Sequence, residues 1–336
     1  VTRRNAIPKA VFALSPQAFP EIFSAEAVAR IRCHAALADT VIPGSMWKRH
    51  TRSLRDTEFL FSSWGAPVMD EAFLEKAPRL RAVFCASGSV DYFTTPALWR
   101  RGVRVMSARA INAIPVAEYT VSAVLFGLKH FWHYARLVRE HRTFPIERPV
   151  TGAYRAKVGL VSYGTVARIV RERLRPYDLQ VLVHDPALTA EEAAREGVQP
   201  VSLAGLFSEC DVVSLHAPLL PESYESIDGA LFKRMRPMST FINTARGELV
   251  NEEEMIAVLA ARPDLQAVLD VTSPEPPAKR SLLYDLPNVV LTPHIAGSLG
   301  GECLRMGDAM VDEFERFIAG HPLHWEILGT SPRQPA

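Results

Sequence analysis

The chain has 336 residues, 48% hydrophobic and 22% charged, a composition typical of folded globular domains and unlike that of disordered segments. At roughly 150 residues per domain, this length suggests two domains. Lys plus Arg number 38 against 37 Asp plus Glu, so the chain lacks the charge excess that nucleic-acid backbones or anionic membranes select, and neither partner is expected.

The longest stretch free of charged side chains, 286–301, is interrupted by Pro287, Pro293 and several Gly or Ser residues, so no membrane span is expected from it. Arg3, Arg4 and Lys9 precede an apolar run of only 10–14 before Ser15-Pro16. That run is too short for a secretory signal, and a cytoplasmic protein is expected. Cys33, Cys85, Cys210 and Cys303 form no CxxC pair and read as free thiols.

Short apolar runs at 9–14, 58–62, 81–85 and 102–106 predict a first small sheet. A helical pattern of about seven turns begins at Pro115 and runs to His141, bridging two domains. Six further runs, 158–161, 180–184, 212–216, 239–243, 267–271 and 289–291, predict a second, larger parallel sheet alternating with helices. A helix over about 301–318 stops at Gly320, and 322–327 can return to the first sheet, making the first domain discontinuous. Pro145 to Pro149 and the tail 331–336 read as loop. The expected domains are 1–107 with 301–336, and 108–300.

The strongest motif is Val158-Gly-Leu-Val-Ser-Tyr-Gly-Thr-Val-Ala-Arg168, a strand, a small-residue turn and a helix start. Against the dinucleotide pattern G-x-G-x-x-G/A it reads Ser162-x-Gly164-x-x-Ala167, with Ser in place of the first Gly. Gly164 lets the backbone approach a pyrophosphate, and the amides of Thr165 and Val166 can donate to it. Ser162 then makes the tight turn at a cost of about 1–2 kcal/mol if it needs positive φ. Asp185 ends the next strand, where a carboxylate can accept from both ribose hydroxyls. It would repel a 2'-phosphate, which favours NAD over NADP. The alternative reading of Asp185 is a helix cap.

Three further segments follow strands: Asn243-Thr-Ala-Arg-Gly247, Asp270-Val-Thr-Ser-Pro-Glu-Pro276 and Thr292-Pro-His-Ile-Ala-Gly297. Strand C-terminal ends of an open parallel sheet share one crevice, so Arg246, Glu275 and His294 can converge. Arg offers a planar fork to a carboxylate, His a proton near neutral pH, and Glu a charge that orients the His.

With these residues in view, the chain resembles the D-isomer-specific 2-hydroxyacid dehydrogenase family over nearly its whole length, in segments 87–91, 112–120, 158–168, 184–186, 213–219, 241–250, 269–276 and 286–298. The resemblance implies a Rossmann dinucleotide-binding domain and a smaller flavodoxin-like α/β substrate domain. It implies hydride transfer between NAD(H) and a small 2-keto acid or D-2-hydroxy acid, with Arg246 on the substrate carboxylate, His294 as acid/base and Glu275 as its partner. It further implies that His216, Pro218, Thr244 and Asp270 line the cofactor site, that Gly88 and Ser89 present amides to the carboxylate, and that the chain is a homodimer through its NAD-binding domain. Substrate selectivity is expected in loops such as the one bearing Trp64. The chain departs from the family at Ser162, at Ser87-Gly88-Ser89-Val90-Asp91, where G-x-G-x-D is frequent, and at Thr272, where an aromatic residue is common.

Other signals are weaker. His130, His133 and His141 share a helix but have no carboxylate or Cys cluster beside them, so no metal is expected. Arg168, Arg171 and Arg175 read as a solvated stripe. Phe126, Phe131, Trp132 and Tyr134 read as core or dimer interface. The alternative function is an NAD-sensing, corepressor-like binding protein on the same fold.

Overall fold

The structure is a computed structural model describing residues 7–145 and 150–328. The expected loop at 146–149, the tail 331–336, and Arg3 and Arg4 lie outside the described residues. The described chain forms two compact units, residues 7–113 with 298–328 and residues 114–297. Each seam lies a few residues from the expected 107/108 and 300/301. The first falls inside the helix Arg109–Leu128, whose start belongs with the first unit: Ser107 Oγ accepts the Arg109 N–H (3.2 Å) and Ala108 N–H donates to Cys85 O (2.9 Å).

The strands in chain order are β1 (Lys9–Ala13), β2 (Ala36–Ile42), β3 (Thr57–Ser62), β4 (Ala82–Cys85), β5 (Arg104–Ser107), β6 (Lys157–Val161), β7 (Gln180–His184), β8 (Gln199–Pro200), β9 (Val212–Leu215), β10 (Thr240–Asn243), β11 (Gln266–Leu269), β12 (Val289–Leu291) and β13 (Glu326–Ile327). In the first unit they form one sheet ordered β13-β5-β4-β3-β1-β2. Its parallel part has the flavodoxin-like 2-1-3-4-5 order, and β13 adds antiparallel to β5. The second unit holds β12-β11-β10-β9-β6-β7-β8, a doubly wound Rossmann order with one strand more than the common six.

Two strands escape the sequence reading. β2 is mostly half-buried or exposed and lacks the clean apolar alternation of a core strand, while β8 is only two residues long. The long helix also differs from expectation. It begins at Arg109, so Pro115 lies inside it, and it stops at Leu128. A second helix, Phe131–His141, starts after His130, whose φ of +50° no α-helix can continue.

Apolar residues pack on both faces of each sheet. In β10, Phe241 points to a core with Phe207 and Phe232 while its neighbour Ile242 joins Leu160 and Val183 on the opposite face, the period-two alternation of a strand buried on both sides. In the first unit the helix Gly301–Ala319 lays Met306, Met310 and Phe314 over Phe12, Phe59, Phe61 and Phe84. Gly307 permits that approach, since a Cβ there would fall 1.9 Å from Ile22 O. Among the described residues one helix, Arg109–Leu128, is long and apolar enough to cross a membrane. Here its Ala117, Ala123, Val124 and Leu128 are core, and its Glu118 pairs with Arg173 at 2.8 Å.

Candidate active site

Six neighbouring strands of the second unit end level with one another. The register pairs His184 with Val161, Val161 with Leu215, Leu215 with Asn243, Asn243 with Leu269 and Leu269 with Leu291. Each is the last residue of its strand, and the next residue in each case is Asp185, Ser162, His216, Thr244, Asp270 or Thr292. The sheet thus sets every chemically interesting segment of this unit along one C-terminal edge, where open α/β sheets bind ligands.

At the β6 turn, Ser162 has φ +71°, the left-handed conformation that favours glycine. Its Oγ donates to Asp185 Oδ2 (3.2 Å), which also accepts the Tyr163 N–H (2.6 Å), and Asp185 Oδ1 accepts the Ala187 N–H (2.7 Å). The helix-cap alternative for Asp185 does not apply, because the following helix, Ala190–Glu196, is capped by Thr189 Oγ1. Gly164 is the N-cap of the helix Thr165–Leu174 and has no side chain to satisfy its first amides. The N–H groups of Thr165 and Val166 have no acceptor among the described residues, which leaves them for an anion. His216 hangs its backbone N–H on Val161 O (2.9 Å) while its buried Nε2 has no hydrogen-bond partner among the described residues. Burial alone lowers its pKa to about 4, so the ring is neutral at pH 7. An orphaned buried nitrogen, two free helix amides and a carboxylate on one edge fit a dinucleotide. Pro218 O accepts the Ser223 hydroxyl (2.7 Å), and the hydroxyls of Thr244 and Thr120 lie 3.3 Å apart.

The β10, β11 and β12 ends carry the second group. Arg246 is exposed and makes no ion pair among the described residues; its guanidinium hydrogen-bonds there only to the carbonyl of Ala245, through Nη1 (2.6 Å). His294 Nδ1 donates to Glu275 Oε1 at 2.6 Å, both side chains about half-exposed. A carboxylate can only accept, so Nδ1 carries the proton and Nε2 is free for chemistry. His294 itself has φ +55°. The loop around it is fastened by buried Asp270, whose Oδ1 accepts from Thr292 Oγ1 (2.6 Å) and the Ile295 N–H (2.8 Å) and whose Oδ2 accepts the Ala296 N–H (2.8 Å). Asp270 therefore positions the histidine loop, a role beyond the lining of the cofactor site that the family resemblance implies.

In the first unit, the amides of Gly88 and Ser89 have no acceptor among the described residues. A Cβ at Gly88 would lie 2.5 Å from Asn112 Nδ2, so the glycine is there for space. Ser87 Oγ donates to Ser89 O (2.7 Å) and shapes the loop. Tyr92, which the sequence reading passed over, donates its hydroxyl to Ser63 O (2.9 Å) and reaches Ser87 Oγ (3.3 Å). It staples the Ser63-Trp64-Gly65 loop to the Gly88 loop, and Trp64 is 38% exposed. No cluster of three potential metal ligands occurs among the described residues.

Residues 121–296, more than half of the chain, match the family model for the NAD binding domain of D-isomer specific 2-hydroxyacid dehydrogenases. The chain belongs to this family. It is 31% identical over 262 residues to an (S)-sulfolactate dehydrogenase of Chromohalobacter salexigens, covering 74% of this chain and 81% of that one. A D-3-phosphoglycerate dehydrogenase of Synechocystis sp. is 26% identical over 257 residues, 76% of this chain but only 46% of its own length, so the chain spans about half of that relative. Among solved structures, the NAD complex of a D-isomer specific 2-hydroxyacid dehydrogenase from Lactobacillus delbrueckii ssp. bulgaricus superposes with a TM-score of 0.79 at 21% identity, covering 95% of this chain and 99% of that one. This D-2-hydroxyacid dehydrogenase takes NAD as its cofactor and is an oxidoreductase of 2-hydroxy and 2-keto acids.

Proposed function

We propose that this chain reduces a small 2-keto acid with NADH, reversibly, through Arg246, His294 and Glu275. Bound NADH supplies the hydride to the carbonyl carbon. Arg246 binds the substrate carboxylate and stabilises the developing alkoxide, while His294 delivers a proton from Nε2 to the carbonyl oxygen. Glu275 holds the ring through Nδ1. Oxidation runs the same steps backward, with neutral His294 as base. The observation that carries this reading is the 2.6 Å His294–Glu275 bond on the same sheet edge that bears Arg246, which pairs with no carboxylate among the described residues.

In the same reading, Asp185 holds the adenosine ribose, Thr165 and Val166 the pyrophosphate, and Gly88 and Ser89 the substrate carboxylate, with Trp64 bearing on selectivity. The catalytic constellation and dehydrogenase relatives favour an enzyme over a corepressor-like binding protein. The proposed assembly is a homodimer in the cytoplasm. Phe126 and Phe131, 45% and 46% exposed and stacked with ring centroids 4.4 Å apart, support the dimer, and the free state of all four cysteines fits a reducing compartment.

The test is NADH consumption with glyoxylate, hydroxypyruvate, pyruvate and phenylpyruvate, by wild type and by His294→Gln. Turnover should fall about 10²- to 10⁴-fold in the variant while NADH binding is retained. Near-normal reduction by His294→Gln would remove the histidine from the chemistry, and no oxidation with any keto acid would put the binding-protein reading ahead.

A further inference from the structure

Two of the three proposed catalytic groups stand on loops more than 25 residues apart in sequence, Arg246 after β10 and Glu275 after β11, yet the two loops are joined by backbone. Gly247 has an ordinary φ, so its value is space. A Cβ there would fall 2.0 Å from Thr272 C, 2.1 Å from Thr272 O and 2.6 Å from Ser273 N. No side chain at 247 fits unless the Thr272-Ser273 peptide moves. Five residues beyond Gly247, half-buried Glu252 opens the helix Glu252–Ala261 and its Oε2 accepts the Ser273 N–H at 3.1 Å. On the other side of that peptide, Thr272 Oγ1 donates to Pro274 O (2.9 Å). Pro274 is followed directly by Glu275.

We propose that Glu252 is a positioning residue for the proton-transfer pair, pinning the Thr272–Glu275 loop to the segment that bears Arg246. Gly247 and Thr272 complete the joint. Helix Glu252–Ala261 begins with three glutamates, and each can favour the helix N-terminus. Their roles nonetheless separate. Glu253 is exposed, Glu254 accepts the Gly229 N–H (2.7 Å), and Glu252 alone of the three reaches the Glu275 loop. Burial holds the Glu252 carboxyl above its ordinary range, with the Ser273 N–H pulling it back, which marks a carboxylate kept out of water for the sake of one acceptor bond. The hydroxyl of Thr272, which departs from the family's common aromatic residue, thereby gains a function: it ties the turn that delivers Glu275.

This inference rests on the His294–Glu275 reading above, so the experiment separates the two. The pH profile of kcat/KM for keto-acid reduction is recorded for wild type, Glu252→Ala, Glu252→Gln, Glu275→Gln and the double variant Glu252→Ala with Glu275→Gln. Glu252→Ala should lower kcat about 10-fold or more, as a displaced catalytic group does, and move the alkaline limb to lower pH, with NADH affinity unchanged. Glu252→Gln keeps an acceptor for the Ser273 N–H and should restore both. In the Glu275→Gln background Glu252→Ala should move the limb no further, because the carboxylate it positions is gone. The inference is overturned if the Ala and Gln variants behave alike, or if the limb moves equally in both backgrounds. An unmoved limb in Glu275→Gln itself would overturn the earlier reading instead. Should Glu252→Ala fail to fold, Thr272→Val removes only the bond to Pro274 O; a limb lowered by this near-isosteric change supports the joint, and an unmoved limb refutes it.

Discussion

Replacing Ser162 tests two effects that the β6 turn combines. A non-glycine residue at φ +71° costs about 1–2 kcal/mol. Glycine relieves that cost but returns about 0.4–1 kcal/mol through the greater freedom of the unfolded chain. Ser162→Gly should therefore be more stable than Ser162→Ala by about 0.5–1 kcal/mol, since both lose the hydroxyl and only one keeps the strain. For a unit of this size that is about 1–4 °C in Tm. The hydroxyl has a second consequence. Asp185 Oδ2 already accepts from Tyr163 and Ser162, so a ribose hydroxyl must compete with Ser162 for it. Removing the competitor releases a bond of about 0.5–1.5 kcal/mol, and both variants should bind NADH roughly two- to tenfold more tightly. Thermal unfolding of the apo protein and fluorescence titration with NADH read the two effects separately. Ala as stable as Gly would refute the strain argument, and a weaker NADH complex in both variants would show that the Ser hydroxyl contacts the cofactor directly.

Asp185 should make NADH far better than NADPH, because a 2'-phosphate meets a carboxylate without an adjacent arginine in Pro186-Ala187-Leu188; equal kcat/KM with the two cofactors would refute this. His216 makes stability fall with acid. Its folded pKa is about 4 against an ordinary 6.5, so below 6.5 only the unfolded state takes the proton, and the deficit grows until pH 4. From pH 7 to pH 5 the loss is about 2 kcal/mol; urea unfolding of wild type and His216→Gln should show the difference between them change by that amount, and an identical difference at both pH values would refute it. The stacked Phe126 and Phe131 should be covered in a symmetric pair. Light scattering should then give twice the chain's 37.3 kDa, and a strictly monomeric mass would refute the dimer.

Much of this fold can be read from local pattern. β7 falls where its apolar run predicts it, because a strand buried on both faces has little choice of composition; β12 does so too, although it is a half-buried edge strand, because all three of its residues are apolar. β2 cannot be read that way, since an edge strand with few buried residues leaves a faint trace. The break at His130 is equally hidden: neither Lys129 nor His130 is a helix breaker by type, yet the latter takes a positive φ. In the candidate site, the placement of Arg246, Glu275 and His294 after the ends of β10, β11 and β12 is legible, because those strand ends align along one sheet edge. Glu252 and Gly247 are not, for each acts on a peptide more than 20 residues away. Tyr92 is silent for the same reason, its hydroxyl meeting Ser63 only after β3 and β4 have paired.

The route of the chain through its two units bears on how it is made. The wall of the first unit's aromatic core is the helix Gly301–Ala319, and its sheet is completed by β13, both synthesised after every strand of the second sheet. On the ribosome, domains fold as units as their residues emerge. The dinucleotide-binding unit, continuous from 114 to 297, is thus whole while Phe12, Phe61 and Phe84 still lack Met306, Met310 and Phe314. The half of the protein that begins first finishes last, and in the interval its phenylalanines are open to chaperones. Protease digestion of ribosome-bound chains halted soon after residue 297 has clear the exit tunnel should spare the second unit and cut the first; equal resistance of both would show that the first sheet closes without its last helix.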